Sequence, residues 1–359
     1  MSVGLYIHIP FCRKKCFYCD FFSIESPLIG KMEIEADEYV GSLISQIEHI
    51  KQVETIYIGG GTPTVLPDES LENLLGALEK FSAIEQTIEA NPESLSLKKL
   101  ELFRKARINR LSLGLQSSND ALLKKLGRVH NFETFCRAFF LARKAGFENI
   151  NVDLIYGHPS QTLEDWHKDL NKVLELAPEH ISLYPLTVEA GTVFAKNSVK
   201  TDDNLQRLMY EKACQLLDKK YAHYEISNWA VEAKESKHNL NYWRGGKYFG
   251  VGAGAAGYMD GVRYKNVADI KDYIAKIKDR KSPISEQENI DPPTQAFEKI
   301  MLGLRLLNEG VAIKSFDGFR RDTLERFLQN GVLIDDKGFI KIAPNFVFVA
   351  NSIILEFMP

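Results

Sequence analysis

The sequence contains no apolar run that approaches the roughly 20 residues of a membrane span. Its N-terminus also lacks the charged, then apolar, then small-residue pattern of a signal peptide. Neither sign of charge dominates, because 45 Lys and Arg residues face 48 Asp and Glu residues, and the net charge of -3 argues against a general polyanion binder. These absences favour a cytoplasmic globular protein. Its 359 residues are enough for a large core and a second domain.

Cysteine is scarce and unevenly placed. Three of the five cysteines, Cys12, Cys16 and Cys19, lie on one short loop, whereas Cys136 and Cys214 each stand alone in a predicted helix. This usage indicates a reducing compartment and a metal rather than a disulfide framework. A structural zinc site normally closes with a fourth Cys or His, and a simple 4Fe–4S ferredoxin supplies four cysteines. We therefore predict a cluster held by three thiolates, with one metal position open to a second molecule. A zinc knuckle or free thiols are the alternative.

Predicted strands and helices alternate six times over the first 190 residues. The strands are predicted at Leu5–Ile9, Thr55–Ile58, Gln86–Ala90, Arg110–Leu115, Ile150–Ile155 and His180–Pro185. This α/β pattern predicts a parallel sheet with right-handed crossovers, in a barrel-like arrangement whose loops after the strands share one face. Cysteines, glycines and polar residues recur at these strand ends, which predicts one pocket there.

The alternation ends near residue 190. A glycine-rich stretch at 250–257 indicates close backbone packing, and the polar segment Lys281–Pro293 resembles a linker. Two helices, a hairpin around Asp335–Gly338 and a closing helix predict a smaller helical, winged-helix-like domain. It has no base-reading basic helix, so we expect packing or interaction rather than nucleic acid binding. The predicted domains are a barrel (1–190), an extension (191–285) and this C-terminal domain (286–359).

The motif Cys12-x3-Cys16-x2-Cys19, placed after the first strand of a six-fold β/α repeat, resembles the radical S-adenosylmethionine superfamily. The resemblance implies a partial (β/α)6, TIM-like barrel and a 4Fe–4S cluster whose open iron binds S-adenosylmethionine. In that superfamily the cluster gives one electron to the sulfonium, which yields methionine and a 5′-deoxyadenosyl radical. The run Gly59–Gly61 after the second strand suits a backbone that lies along the methionine moiety.

Segments along almost the whole chain resemble the oxygen-independent coproporphyrinogen III oxidase family. These are Tyr6–Cys12, Gly59–Thr64, Glu89–Glu93, Leu115–Ser117, Leu126–His130 and Asp153–Gly157. The resemblance implies that Tyr6, Gly60 and Glu89 contact the S-adenosylmethionine bound to the cluster. It also implies a second S-adenosylmethionine site, lined by Tyr18, Gly61, Thr62, Gln116, Arg128 and Asp153. It assigns no residue a certain catalytic role.

Other features depart from the oxidases. Phe21 stands where they have a further cysteine, and the chain begins eleven residues before Cys12, whereas the oxidases carry a longer segment that helps to enclose the porphyrinogen. Both features, together with the HNLNYW sequence at 238–243, resemble the HemW-type haem chaperones, in which this segment is implicated in haem binding. The resemblance implies haem contacts by His238 as a candidate iron ligand, by Asn239, and by Tyr242 and Trp243 stacked on the porphyrin. His158 replaces a leucine of the family and offers an alternative imidazole.

Two hypotheses of function follow from these resemblances. The first is a haem chaperone that binds haem, a 4Fe–4S cluster and S-adenosylmethionine and delivers haem to acceptor proteins, with membrane-associated respiratory enzymes as candidates. The second is an enzyme, either the coproporphyrinogen III oxidase or another radical enzyme on the same scaffold. A DNA-binding or structural protein with a zinc knuckle is disfavoured by the count of three cysteines. The sequence leaves a homodimer open.

Overall fold

The computed structural model describes residues 3–25 and 29–358, and its first unit is a partial barrel. The elements of this unit are β1 (Val3–Ile9), β2 (Phe11–Cys12), β3 (Ile24–Glu25), α1 (Ile29–Glu48), β4 (Thr55–Gly60), α2 (Asp68–Leu78), β5 (Glu85–Ala90), α3 (Leu97–Lys105), β6 (Arg110–Gln116), α4 (Asp120–Lys125), α5 (Phe132–Lys144), β7 (Ile150–Tyr156), α6 (Leu163–Leu176) and β8 (His180–Pro185). The strands β1, β4, β5, β6, β7 and β8 pair in this order, each parallel to the next. The predicted parallel sheet of six strands is confirmed.

The period of two residues along each strand separates an apolar face from a polar one. In β1, Leu5, Ile7 and Ile9 are fully buried and belong to the same core cluster as Val40 and Leu43 of α1. The intervening side chains of the strands face the inside of the barrel, where they form a wall of tyrosine, histidine, carboxylate and amide groups. The helices therefore cover the outside of the sheet, and the polar inner face is left for ligands.

The extension adds strands to both edges of this sheet. Its elements are α7 (Val193–Lys196), α8 (Asp203–Leu217), β9 (Ala222–Glu225), β10 (Asn228–Ala230), α9 (Lys237–Trp243), β11 (Lys247–Val251), β12 (Ala256–Met259), β13 (Val262–Asn266), α10 (Ile270–Lys278) and β14 (Ile284–Asn289). β10 pairs antiparallel with β8, while β11 pairs parallel with β1 and continues through β12 and β13 to β14. The sheet thus has a seventh parallel strand, β11, which the sequence did not predict.

The segment Lys281–Pro293 is not the predicted linker. Residues Ile284–Asn289 form β14, which pairs antiparallel with β13. The prediction failed because β14 is an exposed edge strand, whose polar residues give no apolar alternation. The predicted close packing of the glycine-rich stretch occurs against α1, where Gln46 Oε1 accepts from the Gly252 amide at 3.1 Å and Tyr39 Oη accepts from the Ala253 amide at 2.9 Å.

The C-terminal part has the predicted order of two helices, a hairpin and a closing helix. Its elements are α11 (Pro292–Gly303), β15 (Val311–Ala312), α12 (Arg321–Gln329), β16 (Leu333–Asp336), β17 (Phe339–Ile342) and α13 (Ala350–Leu355). The three strands form a separate sheet in the order β15-β17-β16. The winged-helix-like assignment and the three domain boundaries stay predictions. In the described part of the chain, no helix combines the length and apolar character that crossing a bilayer requires.

Candidate functional site

The three-cysteine loop lies at the carboxyl end of β1. Its first cysteine, Cys12, ends the short strand β2, which pairs in parallel with β3 and so closes the loop on itself. Within the loop, the Cys19 amide donates to the Cys16 carbonyl at 3.2 Å. All three thiols line one cavity of about 660 Å³, called the cysteine-lined cavity from here on. The loop therefore directs three thiols into a common space, as the motif predicted.

The chemistry of these thiols fits a cluster. In residues 3–25 and 29–358, no three or more His, Cys, Asp or Glu side chains, these thiols included, are grouped so that they could hold a metal ion, so the fit lies in their protonation and in the groups around them. Burial raises the pKa of the Cys12 thiol, and it raises that of Cys19 to about 11, so both keep their protons until a metal replaces them. Thr62 Oγ1 lies 3.5 Å from the Cys12 sulfur, and the Arg128 guanidinium lies 3.5 Å from that of Cys16. These groups stabilise sulfur that carries negative charge.

The glycine run after β4 brings the backbone against a carboxylate. Gly60 has φ +112°, and an added Cβ would lie 2.6 Å from the His8 ring, so only glycine fits. Its amide donates to Glu89 Oε2 at 3.1 Å, and the Tyr57 hydroxyl donates to Glu89 Oε1 at 2.7 Å. Burial nevertheless raises the pKa of Glu89 to about 7. A cation placed here would restore the ionised carboxylate, which suits a ligand with an amino group.

The remaining residues predicted for the second ligand site also line the cysteine-lined cavity. They are Tyr18, Gly61, Thr62, Gln116, Arg128 and Asp153. Gln116 ends β6 with φ +71°, and its buried Oε1 has no hydrogen-bond partner among the described residues. Such strain and an unsatisfied amide are features of functional sites. Arg128 donates to Asn91 Oδ1 at 2.6 Å and to the Gly114 carbonyl at 2.9 Å. The structure thus brings these six residues together.

Asp153 adds a buried carboxylate to this group. The Ser112 hydroxyl donates to it at 3.0 Å and the Asn151 amide at 2.8 Å. Burial raises the pKa of Asp153 despite these two donors. A ligand hydroxyl group would find an acceptor here.

A second cavity, of about 870 Å³, adjoins the first. Five tyrosines line it, namely Tyr6, Tyr57, Tyr242, Tyr248 and Tyr258, and we call it the phenol-lined cavity. Phe21, Tyr57, Gly60 and Glu89 line both cavities and form the wall between them. Sequence reasoning placed Tyr6 with the cluster ligand and did not predict a separate cavity, although two of the predicted haem contacts, Asn239 and Tyr242, line it. Its far wall comes from β11, β12, β13 and α11, and Tyr248 of β11 pairs with Tyr258 of β12 across two strands.

Helix α9 carries the HNLNYW segment and divides its residues between the cavity and the interior. Asn239 and Tyr242, three residues apart on one helix face, line the phenol-lined cavity. His238 is fully buried, with Thr55 Oγ1 2.8 Å from Nδ1 and Tyr242 Oη 2.8 Å from Nε2. Trp243 lines neither cavity and instead packs beneath the Arg305 guanidinium, 4.6 Å from the ring centroid. The structure thus does not bring all four haem candidates to one surface.

His158 also lies away from both cavities. It is 2% exposed, and its Nε2 donates to the carbonyl group of Ile155. Burial lowers the pKa of His158 to about 4. The alternative imidazole predicted from the sequence is therefore a packed side chain, because the cavity wall at this point is made by Ile155 and Tyr156 instead.

Comparisons with known proteins agree with this geometry. The model of the Radical SAM superfamily matches residues 6–173, which begin within β1, include the cysteine loop and extend beyond β7. The haem chaperone HemW of Lactococcus lactis subsp. lactis is 37% identical, with 98% of this chain and 96% of that protein covered. HemW of Bacillus subtilis is also 37% identical, with 98% of both chains covered. Coproporphyrinogen III oxidase (HemN) of Escherichia coli, a radical SAM enzyme, has the same fold, with a TM-score of 0.86 over 99% of this chain and 90% of that one at 22% identity.

The Radical SAM match covers the part of the chain that holds the thiols, the glycine run and Glu89. The full-length similarity to several HemW proteins extends over the extension and the C-terminal part as well. The chain belongs to the HemW family of the radical SAM superfamily.

Proposed function

We propose that this protein is a haem chaperone, which binds haem beside a 4Fe–4S cluster carrying S-adenosylmethionine and passes the haem to an acceptor protein. The observation that supports this most strongly is the phenol-lined cavity. Its volume of about 870 Å³ lies in the range of cofactor sites, and it shares a wall with the cysteine-lined cavity. The curated relatives at 37% identity are described as haem chaperones, which supports the same role for this chain.

The lining of the phenol-lined cavity suits a porphyrin. Aromatic and apolar groups, including Ala256, Met301 and Leu302, offer surface to the macrocycle. Arg244, Arg263 and Lys299 supply positive charge at the same cavity for the two propionates. Two of these cations already have carboxylate partners, because Arg244 pairs with Glu309 and Arg263 with Glu298. A bound propionate would therefore compete with protein carboxylates, which keeps binding reversible, as delivery requires.

The cysteine-lined cavity fits the cluster and its ligand. Cys12, Cys16 and Cys19 would hold three irons of a 4Fe–4S cluster, and the fourth iron would supply a position for S-adenosylmethionine and an electron for its reduction. Glu89 would accept hydrogen bonds from the ligand's amino group. In a second S-adenosylmethionine site, Arg128 would pair with a carboxylate, and Asp153 would accept from ribose hydroxyls. Each of these residues faces the cavity in which the three thiols lie.

The test is a haem titration of the anaerobically reconstituted protein. The wild type is compared with Ala296→Trp, which fills the phenol-lined cavity from α11, and with Ala275→Trp on the exposed surface of α10. We expect a saturable Soret band at one haem per chain for the wild type and for Ala275→Trp, and its loss in Ala296→Trp. We also expect no conversion of coproporphyrinogen III under reducing, anaerobic conditions. Turnover of that substrate, or haem binding unaffected by Ala296→Trp, would overturn the proposal.

A radical enzyme on the same scaffold is the second candidate. The observation in its favour is that Gln116, Arg128 and Asp153 remain gathered in the cysteine-lined cavity, with the Gln116 amide unsatisfied among the described residues. Quantifying 5′-deoxyadenosine after reduction with dithionite separates radical chemistry from cofactor binding alone. Substrate-dependent release of 5′-deoxyadenosine would favour this enzyme.

The proposal includes a location and partners. We place the protein in the cytoplasm, where its cysteine usage fits a reducing environment. Haem and a haem-acceptor protein are the proposed partners, with membrane-associated respiratory enzymes as candidate acceptors. Pull-down experiments with haem-loaded and with haem-free protein test whether an acceptor protein binds only the haem-loaded form.

A further inference from the structure

We propose that Tyr242, and not His238, ligates the iron of ferric haem, and that His238 and Thr55 position its phenolate oxygen. The inference rests on the proposed haem binding and deepens it by naming the atom that holds the iron. It starts from the hydrogen-bond chain Thr55–His238–Tyr242, which joins a buried imidazole to a tyrosine of the phenol-lined cavity.

His238 has no free nitrogen to offer an iron. Both ring nitrogens are hydrogen-bonded at 2.8 Å, one to the Thr55 hydroxyl and the other to the Tyr242 hydroxyl. The side chain is 0% exposed, and the Tyr57 ring packs 5.3 Å away, centroid to centroid. Ligation by His238 would break one of these bonds and require the wall of the cavity to open.

Helix α9 is fixed in an orientation that keeps His238 inside. The buried carboxylate of Glu85 accepts from the Lys237 and His238 amides, each at 2.9 Å, and so caps the N-terminus of the helix. At the other end, the Asn241 amide donates to the Lys247 carbonyl at 3.0 Å. Rotating the helix to expose His238 would give up these bonds. The same orientation places Tyr242 at the cavity.

A phenolate oxygen is an established kind of haem ligand, found in catalase. Metal ligands in proteins are usually oriented by a hydrogen bond from a second residue, and here His238 can supply it. When the Thr55 hydroxyl donates to Nδ1, the imidazole carries its proton on Nε2 and donates it to the Tyr242 oxygen. The chain thus stabilises negative charge on the oxygen of a side chain that lines the cavity.

Formation of the bond between ferric haem iron and Tyr242 needs no oxidant or reductant. Burial raises the pKa of Tyr242 well above its usual value, so the side chain is a phenol in the empty protein. Ferric haem in water carries hydroxide, which leaves as water with the phenol proton while the Fe–O bond to Tyr242 forms. His238 stays neutral throughout, since burial lowers its pKa to about 3. Iron remains ferric.

Tyr6 is the competing phenol with a histidine partner, and its pairing is of the opposite kind. His8 Nε2 lies 2.8 Å from the Phe22 carbonyl, which can only accept, so the ring proton is on Nε2. His8 Nδ1 must then accept from the Tyr6 hydroxyl at 2.8 Å. A Tyr6 phenolate would face the lone pair of that nitrogen and be repelled. His238 has hydroxyl groups on both sides and is free of this constraint.

The test uses full-length, anaerobically reconstituted protein loaded with ferric haem. Resonance Raman spectra are recorded for protein made with ordinary tyrosine and with ring-deuterated tyrosine. The variants are Tyr242→Phe, His238→Gln and two matched controls from the same cavity, Tyr6→Phe and Tyr248→Phe. Cluster iron is measured on each variant, so that a misfolded one is recognised.

We expect iron–phenolate bands that shift on deuteration in the wild type and in both controls, and their loss in Tyr242→Phe. Ferric haem affinity should fall by about 100-fold in Tyr242→Phe and by about 10-fold in His238→Gln, with the phenolate bands retained in the latter. Saturable haem binding without phenolate bands, or bands that survive in Tyr242→Phe, overturns this inference and leaves the proposed function standing. Absence of saturable haem binding by the wild type overturns both.

Discussion

The two cavities are neighbours but are built in different ways. The thiols of the cysteine-lined cavity come from eight consecutive residues, and its other polar groups come from the ends of successive strands. The phenol-lined cavity is assembled from β1, β4, β5, α9, three strands of the extension and α11, which lie far apart in the chain. The first collects ionisable groups around thiols, while the second collects phenols with cations among its lining. The cysteine-lined cavity is thus recognisable from a sequence motif, whereas the phenol-lined cavity, in which we propose that haem binds, is recognisable only in the folded protein.

The largest expected separation of the two cavities comes from Cys16→Ser. Serine binds iron poorly in place of thiolate, so the variant should lose the cluster after reconstitution. Iron and sulfide analysis and the charge-transfer absorbance measure this loss. Haem affinity should stay within about 3-fold of the wild type, because the thiols do not line the phenol-lined cavity.

The matched variant is Cys136→Ser, whose thiol lies in α5 away from both cavities. It should keep both cluster and haem. Loss of haem binding together with the cluster in Cys16→Ser would show that the two cavities form one inseparable site.

Glu89→Gln tests the wall that the cavities share. The glutamine keeps the shape, and it can accept from the Gly60 amide and donate to the Tyr57 hydroxyl, but it loses the charge that an amino group needs. S-adenosylmethionine affinity should fall by about 10- to 100-fold, as expected for one charge-assisted hydrogen bond in a buried site. Anaerobic calorimetry measures both ligands, and haem affinity should change much less. An equal loss for both would place haem against Glu89 itself.

The same variant should stabilise the ligand-free protein at neutral and higher pH. Burial raises the folded-state pKa of Glu89 from 4.5 to about 7, so the folded state binds more protons than the unfolded state between these values. Stability therefore falls as pH rises through this window, and Glu89→Gln removes that loss. Its free energy of unfolding should exceed that of the wild type by at most about 3 kcal/mol near pH 8, and by much less near pH 5. Denaturant unfolding of both proteins at the two pH values measures this difference in free energy. A difference that does not change with pH would contradict the expectation.

The sequence predicted the barrel and the cysteine-lined cavity well, for a physical reason. Parallel strands are buried on their outer face, so runs such as Ile150–Tyr156 are apolar enough to recognise, and functional groups in such folds sit at the strand ends. Strand β11 escaped prediction because it is short and runs into a glycine-rich turn. Strand β14 escaped because it is exposed and polar.

The orientation of α9 could not be predicted either. The HNLNYW segment suggests haem contacts, but its pattern does not say which side chains face inward. That choice is made by Glu85, more than 150 positions earlier in the chain, which accepts from two amides of α9. Such a contact leaves no trace in local periodicity. The segment identified the helix, but only the fold shows that Tyr242 lines the cavity whereas His238 is buried behind it.

Glu85→Ala should loosen the phenol-lined cavity and spare the other one. Removing the carboxylate leaves two buried amides of α9 without an acceptor, at a cost of about 2 kcal/mol in the free energy of unfolding. Helix α9 would then hold Tyr242 less firmly, and haem affinity should fall by about 10-fold. Glu85→Gln keeps one acceptor oxygen, so its unfolding free energy and its haem affinity should lie between those of Glu85→Ala and the wild type. A parallel fall in S-adenosylmethionine affinity would contradict the independence of the two cavities.

Trp243→Phe should have the smallest effect, because Trp243 lines neither cavity. The variant weakens the contact with the Arg305 guanidinium, 4.6 Å from the ring, and should cost about 0.5 to 1 kcal/mol of unfolding free energy. Haem affinity should stay within about 2-fold of the wild type, in contrast to Tyr242→Phe at the adjacent position. Titration of the two variants side by side measures that contrast. If Trp243→Phe weakened haem binding as strongly as Tyr242→Phe, the indole would have to reach the porphyrin, and α9 would have to sit differently in the haem-bound protein.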